Sequence, residues 1–139
     1  MNILINKEYR DKIQEYSLFF QEKEGIIHMN QLVLAGYLAK DPELTYTPNG
    51  HAKCIIRLAV DSDEKDGDTG EYKTDFIDVI AWRKEAENAG NHLLKGRFVV
   101  VDAKVKPRSY ENSEGKRVYV TDIVANRIQY GPKPALQQA

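Results

Sequence analysis

Cysteine occurs once in the 139 residues, at Cys54, which excludes an intrachain disulfide and any cysteine cluster for zinc. Histidine is scarce as well. His28, His51 and His92 are widely spaced and share no ligand motif, so neither a metal centre nor another cofactor is expected. No apolar run approaches the roughly 18 residues of a membrane span. The opening Met1-Asn-Ile-Leu-Ile-Asn6 lacks the basic and apolar regions of a signal peptide. These absences predict a cytoplasmic chain with no membrane partner. Net charge is also nearly missing, at -1, and a chain without excess charge of either sign would ordinarily argue against a polyanion partner.

The neutrality is a cancellation. From Leu93 to Tyr119, Lys95, Arg97, Lys104, Lys106, Arg108, Lys116 and Arg117 face only Asp102, Glu111 and Glu114, a net of +4. From Asp61 to Glu71, six carboxylates face Lys65 alone, a net of -5. Binding of a polyanion responds to the local basic surface rather than to the sum, so nucleic acid stays open as a partner. With 42% hydrophobic residues the chain has material for one globular domain with its own core, plus short extras.

The only tryptophan closes the most informative stretch, Tyr72 to Trp82. Read as a strand, it places Ile77, Val79 and Ala81 on one face and Phe76, Asp78, Ile80 and Trp82 on the other. Arg83 to Leu94 then switches to helical spacing through Ala86, Ala89 and Leu93, and Gly96 stands where a helix would stop. Before this pair, Gln31 to Ala39 is apolar on both faces, through Leu32, Leu34, Gly36 and Leu38 against Val33, Ala35 and Tyr37. Such a strand is expected to be half covered by an interface. Gly36 marks a bulge or bend. After a short extended piece over 43–47 and the Pro48-Asn49-Gly50 turn signal, Lys53 to Val60 reads as a second strand. Cys54, Ile56, Leu58 and Val60 lie inside it, with Lys53 and Arg57 outside.

Asp61 to Gly70 is expected to be a solvated hairpin loop. A calcium loop fails on register, because Gly67 at position six puts Ser62 at position one and Lys73 at position twelve, where a carboxylate is required. Phe98 to Tyr110 and Lys116 to Tyr130 read as two long strands joined by a polar loop. In the first, Val99, Val101, Ala103 and Val105 share a face, and Lys104, Lys106, Arg108 and Tyr110 share the other. Pro107 removes an amide donor and predicts an edge or a bulge.

Residues 1–28 form a separate leader. Tyr9, Ile13, Tyr16 and Phe20 recur at helical spacing. A leader packed on the domain, an upstream start before Met29, a partner or self-association helix, and a membrane-surface helix all remain open. The domain itself is expected over 29–131, with a short flexible tail over 132–139.

Three strands, a helix and two strands predict an all-β, five-stranded Greek-key barrel of the OB-fold type, with the helix between the third and fourth strands. Aromatics and cations gather on its outward face, which suits stacking of bases and tracking of phosphates on a single strand. The competing reading makes Phe76 and Trp82 a second core and the cations solvating charge. Other classes make different demands: a nuclease on the same barrel would need clustered carboxylates for metal, an RNA-binding barrel differs only in its ligand, and a scaffold acting through the leader would not need the rings.

The run Met29-Asn-Gln-Leu-Val-Leu-Ala-Gly-Tyr-Leu-Ala-Lys-Asp-Pro-Glu-Leu-Thr-Tyr-Thr-Pro-Asn-Gly50, with Phe76-Ile-Asp-Val-Ile-Ala-Trp-Arg-Lys-Glu-Ala-Glu-Asn88, Leu94-Lys-Gly96 and Ser109-Tyr-Glu-Asn112, resembles the bacterial-type single-stranded DNA-binding proteins. The resemblance implies a homotetramer that binds and protects single-stranded DNA with little sequence preference in replication, recombination or repair, without being an enzyme. It implies base stacking by Phe76, Trp82 and Tyr110, and phosphate contacts by Lys84, Lys95 and Arg108. Lys53, Arg57, Lys104 and Lys106 join them as outward cations on the strands. Two departures stand out. A fourth stacking position of the family falls on Glu64, in the acidic segment, so the DNA is expected to skirt that segment. The acidic tail with an apolar tip that recruits replication enzymes has no counterpart, which suits phage, plasmid or short paralogous members.

Overall fold

The computed structural model of this chain describes Lys7 and residues 29–133. The helix expected in the leader and the end of the tail lie outside the described residues. Six strands and one helix follow in order: β1 Leu32–Leu38, β2 Glu43–Tyr46, β3 Ala52–Lys65, β4 Tyr72–Trp82, α1 Arg83–His92, β5 Phe98–Glu111 and β6 Arg117–Tyr130.

Alternation along these strands builds the core. Leu34 and Leu38 of β1, Cys54, Ile56 and Leu58 of β3, Val79 and Ala81 of β4, and Val99, Val101 and Ala103 of β5 all turn inward and are buried. Each such Leu, Ile or Val contributes roughly 1.5 to 3 kcal/mol on leaving water. The sheet order is β1-β5-β6-β4-β3-β2, and an additional β1–β3 pairing closes the ring. The result is the five-stranded OB-fold barrel expected from the sequence, with β2 as a short sixth strand on the same edge of β3 that β1 uses further along. The helix α1 lays Ala86 and Ala89 on the core and stops at His92, earlier than expected, and Leu93 is buried beside them.

Closure explains Gly36. Its backbone pairs with β5 without interruption from Leu32 to Tyr37, so it is not a bulge. A side chain there would meet the Ala59 carbonyl oxygen at 2.4 Å, where β1 presses against β3. Only a residue without Cβ permits that approach.

Two strand pairs extend beyond the barrel as ribbons. Past Ala103, β5 has β6 as its partner on one side while β1 has ended. Pro107 therefore sits where one edge of β5 is unpaired, as its missing amide requires. The β5–β6 turn is held by the Asn112 side-chain oxygen, which accepts from the Glu114 and Lys116 amides at 3.0 and 2.9 Å, and Gly115 takes φ 77° there. The second ribbon corrects the expected acidic loop. Asp61 to Lys65 continue β3, and the connection is only residues 66–71, turned by the Asp66 carboxylate accepting from the Asp68 amide at 2.8 Å.

Candidate nucleic-acid interface

Where β4 and β6 run side by side they pair in parallel at Ile80 and Val124, and they diverge beyond that point. The wedge between them is a groove lined by Lys53, Ile80, Trp82, Lys104, Lys106, Pro107, Arg108, Asp122 and Val124. Ile80 and Val124 form its apolar floor. Cations stand on both walls, Lys53 from β3 and Lys104, Lys106 and Arg108 from β5.

The rings lie outside the core. Trp82 is 38% exposed, Phe76 56% and Tyr110 45%, which rejects the second-core reading of Phe76 and Trp82. Strand parity had placed them there, since Val79 and Ala81, one residue out of phase, are fully buried. Each ring has its own cation. Lys53 Nζ lies 5.6 Å from the Trp82 centroid, the Arg57 guanidinium 5.5 Å from Phe76, and that of Arg108 5.7 Å from Tyr110. Such a pair contributes about 0.5 to 1 kcal/mol at an exposed site. Its larger value here is placement: a base stacked on the ring would have a positive charge within reach of its phosphate.

Carboxylates restrain two of these cations. Arg108 Nε donates to Asp122 Oδ2 at 2.6 Å, and this hydrogen bond and charge push the guanidinium pKa up. Arg57 lies 3.7 Å from the Asp78 carboxylate. Both guanidinium groups are thereby steered over their rings, at little gain in stability because the pairs are open to water.

The structure brings together Lys53, Trp82, Lys104, Lys106 and Arg108 in the groove, with Tyr110 beyond Arg108 and Arg57 with Phe76 along the same face of the β3–β4 ribbon. Lys84 stands in a neighbouring concavity with Gly50, His51, Ala52, Arg83 and Glu87. Lys95 lies in the turn after α1, where its amide donates to Asp41 at 2.8 Å. Neither lines the groove. Arg97, counted above with the basic segment, is a structural residue: it is buried, its Nε donates to the Gly131 carbonyl at 2.8 Å, and it lies 5.7 Å from the Tyr130 ring. The sequence had not singled out Tyr72 or Lys65, a further ring and cation on the β3–β4 ribbon, 5.0 Å apart. Parity with Phe76 was the available signal for Tyr72.

Among the described residues no group of His, Cys, Asp and Glu is arranged to hold a metal ion, and no helix is long and apolar enough to cross a membrane. A model of the single-strand binding protein family matches residues 29–130. The chain belongs to that family. Members similar to it include single-stranded DNA-binding protein 3 of Listeria innocua, 52% identical over 102 residues that make up 73% of this chain and 63% of the relative. The single-stranded DNA-binding protein of Halalkalibacterium halodurans is 46% identical over the same share of this chain and 60% of its own length. Single-stranded DNA-binding protein 2 of Staphylococcus aureus is 45% identical, with 73% of each chain covered. The match thus spans about three fifths of the length of the first two relatives, and in this chain it is confined to the barrel and its ribbons.

Proposed function

We propose that this chain binds and protects single-stranded DNA with little base preference, in replication, recombination or repair. The observation that carries the reading is the groove between β4 and β6, with Trp82 in its lining, Phe76 and Tyr110 exposed alongside, and a cation over each ring. Stacking is tolerant of sequence because every base has a π-face, and alanine substitution of such rings costs about 1 to 3 kcal/mol per base. Lys53, Lys104 and Lys106 supply charge for phosphates. The mode is binding rather than catalysis: the carboxylate in the groove, Asp122, is engaged with Arg108. Membership of the single-strand binding family supports DNA over RNA as the ligand, and competition between oligo-dT and oligo-U separates the two.

The same proposal includes a homo-oligomer, a tetramer by family resemblance, acting in the cytoplasm on nucleoid DNA. The outer face of β1 supports it, because Val33 and Tyr37 are 59% and 55% exposed although they sit in a strand whose other side is core. Tyr37 packs edge-on against Phe98, 5.2 Å between centroids, so the apolar surface continues onto β5.

Titration of the single tryptophan with oligo-dT at several salt concentrations tests the function. Trp82 emission is expected to fall on binding, and log affinity to decline against log salt with a slope of about -0.7 per phosphate neutralised. Emission and affinity that ignore both DNA and salt sink the reading.

A further inference from the structure

Three rings of β4 stand in one row on the groove side of the sheet, each beneath a cation of β3: Lys53 at Trp82, Arg57 at Phe76 and Lys65 at Tyr72. The row follows from parity, since Tyr72, Phe76 and Trp82 are separated by even steps in one unbroken strand. Lys65 reaches that side by a less obvious route. Asp61 pairs with Thr74 and Lys65 with Tyr72, so β3 spends four residues where β4 spends two. The bulge therefore inserts an even number of residues and returns the lysine to its original face, whereas an insertion of one would have turned it away.

Glu64 is sent in the other direction. Its carboxylate lies 3.9 Å from Lys73, and Lys73 alternates with Tyr72 on β4. The Asp66 carboxylate is folded into the turn, where it accepts from the Asp68 and Thr69 amides. The acidic ribbon thus keeps its ring and its cation on the groove side, where Asp61, paired with Thr74, also stands, while Glu64 and Asp66 are held elsewhere. Tyr72 is 60% exposed and stands about 13 Å along the strand from Phe76, at roughly 3.3 Å per residue.

We propose that Tyr72, with Lys65 beside it, is a further base-stacking subsite that carries single-stranded DNA out of the groove along the β3–β4 ribbon. The proposal rests on the DNA-binding reading of the groove and replaces the expectation that DNA skirts the whole acidic segment. Repulsion from that segment remains and weakens the subsite, but a stacked base is uncharged and needs only its flanking phosphates balanced by Lys65.

The test uses the full chain with the paired substitutions Trp82→Phe and Tyr72→Trp, which move the only tryptophan to the ribbon and keep a ring in the groove. The two substituted positions are exposed, and circular dichroism checks the fold. Oligo-dT of increasing length is titrated into this protein and into the unaltered chain. Emission from position 72 is expected to fall with long oligonucleotides, and to stay constant with the shortest ones that already quench Trp82 in the unaltered chain. If long oligonucleotides quench Trp82 but leave position 72 unaffected, the subsite is refuted while the groove stands. If Trp82 itself does not respond, the DNA-binding reading fails and the subsite with it. As an independent measurement, Tyr72→Ala is expected to lower affinity for long oligo-dT about 5- to 150-fold and to spare the shortest; equal affinity at both lengths overturns the proposal.

Discussion

Trp82 and Cys54 occupy opposite sides of one strand pair, and their substitution should separate binding from stability. Trp82→Ala is expected to weaken oligo-dT binding by about 1 to 3 kcal/mol while the melting temperature barely moves, because the ring covers the groove and not the core. Anisotropy titration and thermal melting measure the two; a stability loss of the roughly 3 to 5 kcal/mol typical of a core aromatic would contradict the placement. Cys54 is fully buried, and burial first, then the charge of Glu43, pushes its thiol from 9.0 up to about 11. The folded state therefore holds that proton more tightly than the unfolded state does. The associated stability is complete below about pH 9 and is lost as pH rises toward 11, on the order of 2 kcal/mol. Denaturant melts at pH 8, 9.5 and 11 should show a decline that Cys54→Ala flattens. Both placements were legible in the sequence, because alternation at period two needs only neighbours. Arg97 was not: its partner Gly131 lies far along the chain, and a buried arginine has no pattern that distinguishes it from a solvated one.

At the level of elements, strands with one apolar face were readable and polar ones were not. Asp61 to Lys65 carry no alternation of apolar with polar side chains, so nothing local marked them as strand; only pairing with Thr74 and Tyr72 gives them that form. The short extended piece over 43–47 was readable, but its place as a sixth strand was not, because that depends on pairing with β3. The acidic ribbon has a consequence for affinity. Replacing Asp63, Glu64 and Asp66 by Asn, Gln and Asn removes three negative charges and keeps the Asp66 turn acceptor as an amide oxygen. Oligo-dT affinity should rise at low salt, and rise less where the Debye length shrinks from about 10 Å at 0.1 M toward 3 Å at 1 M. Affinity that stays unchanged at low salt would place bound DNA beyond reach of the ribbon.

For the whole molecule, the exposed apolar face of β1 is the feature a single barrel leaves unsatisfied. Val33→Glu with Tyr37→Glu puts charge on that face without touching the core side of the strand. Light scattering should report an assembly for the unaltered chain at micromolar concentration and a single protomer for the variant. A monomer in both cases removes the oligomer proposal and leaves the groove intact. The fold class was visible from strand order alone, whereas the groove was not. It exists because β4 and β6 separate after one residue pair, a tertiary divergence with no local signature.

The barrel closes through two residue pairs, Tyr37 with Ala59 and Leu38 with Leu58, extended by the Ala39 amide bonded to the Arg57 carbonyl at 2.8 Å. The β3–β4 and β5–β6 ladders are far longer and join neighbours in sequence, so their loops close first and the ring is joined late in folding. Together with the single β4–β6 pair at Ile80 and Val124, the same seam is then where partial opening of the native protein is expected. Gly36→Ala should crowd it against the Ala59 carbonyl and raise the frequency of partial opening while the two long ladders stay protected. Native-state hydrogen exchange would register this as faster exchange at the Ala39 amide, with the amides of β3–β4 and β5–β6 slow in both proteins. Uniform acceleration across all strands would mean that the ring opens as one cooperative unit.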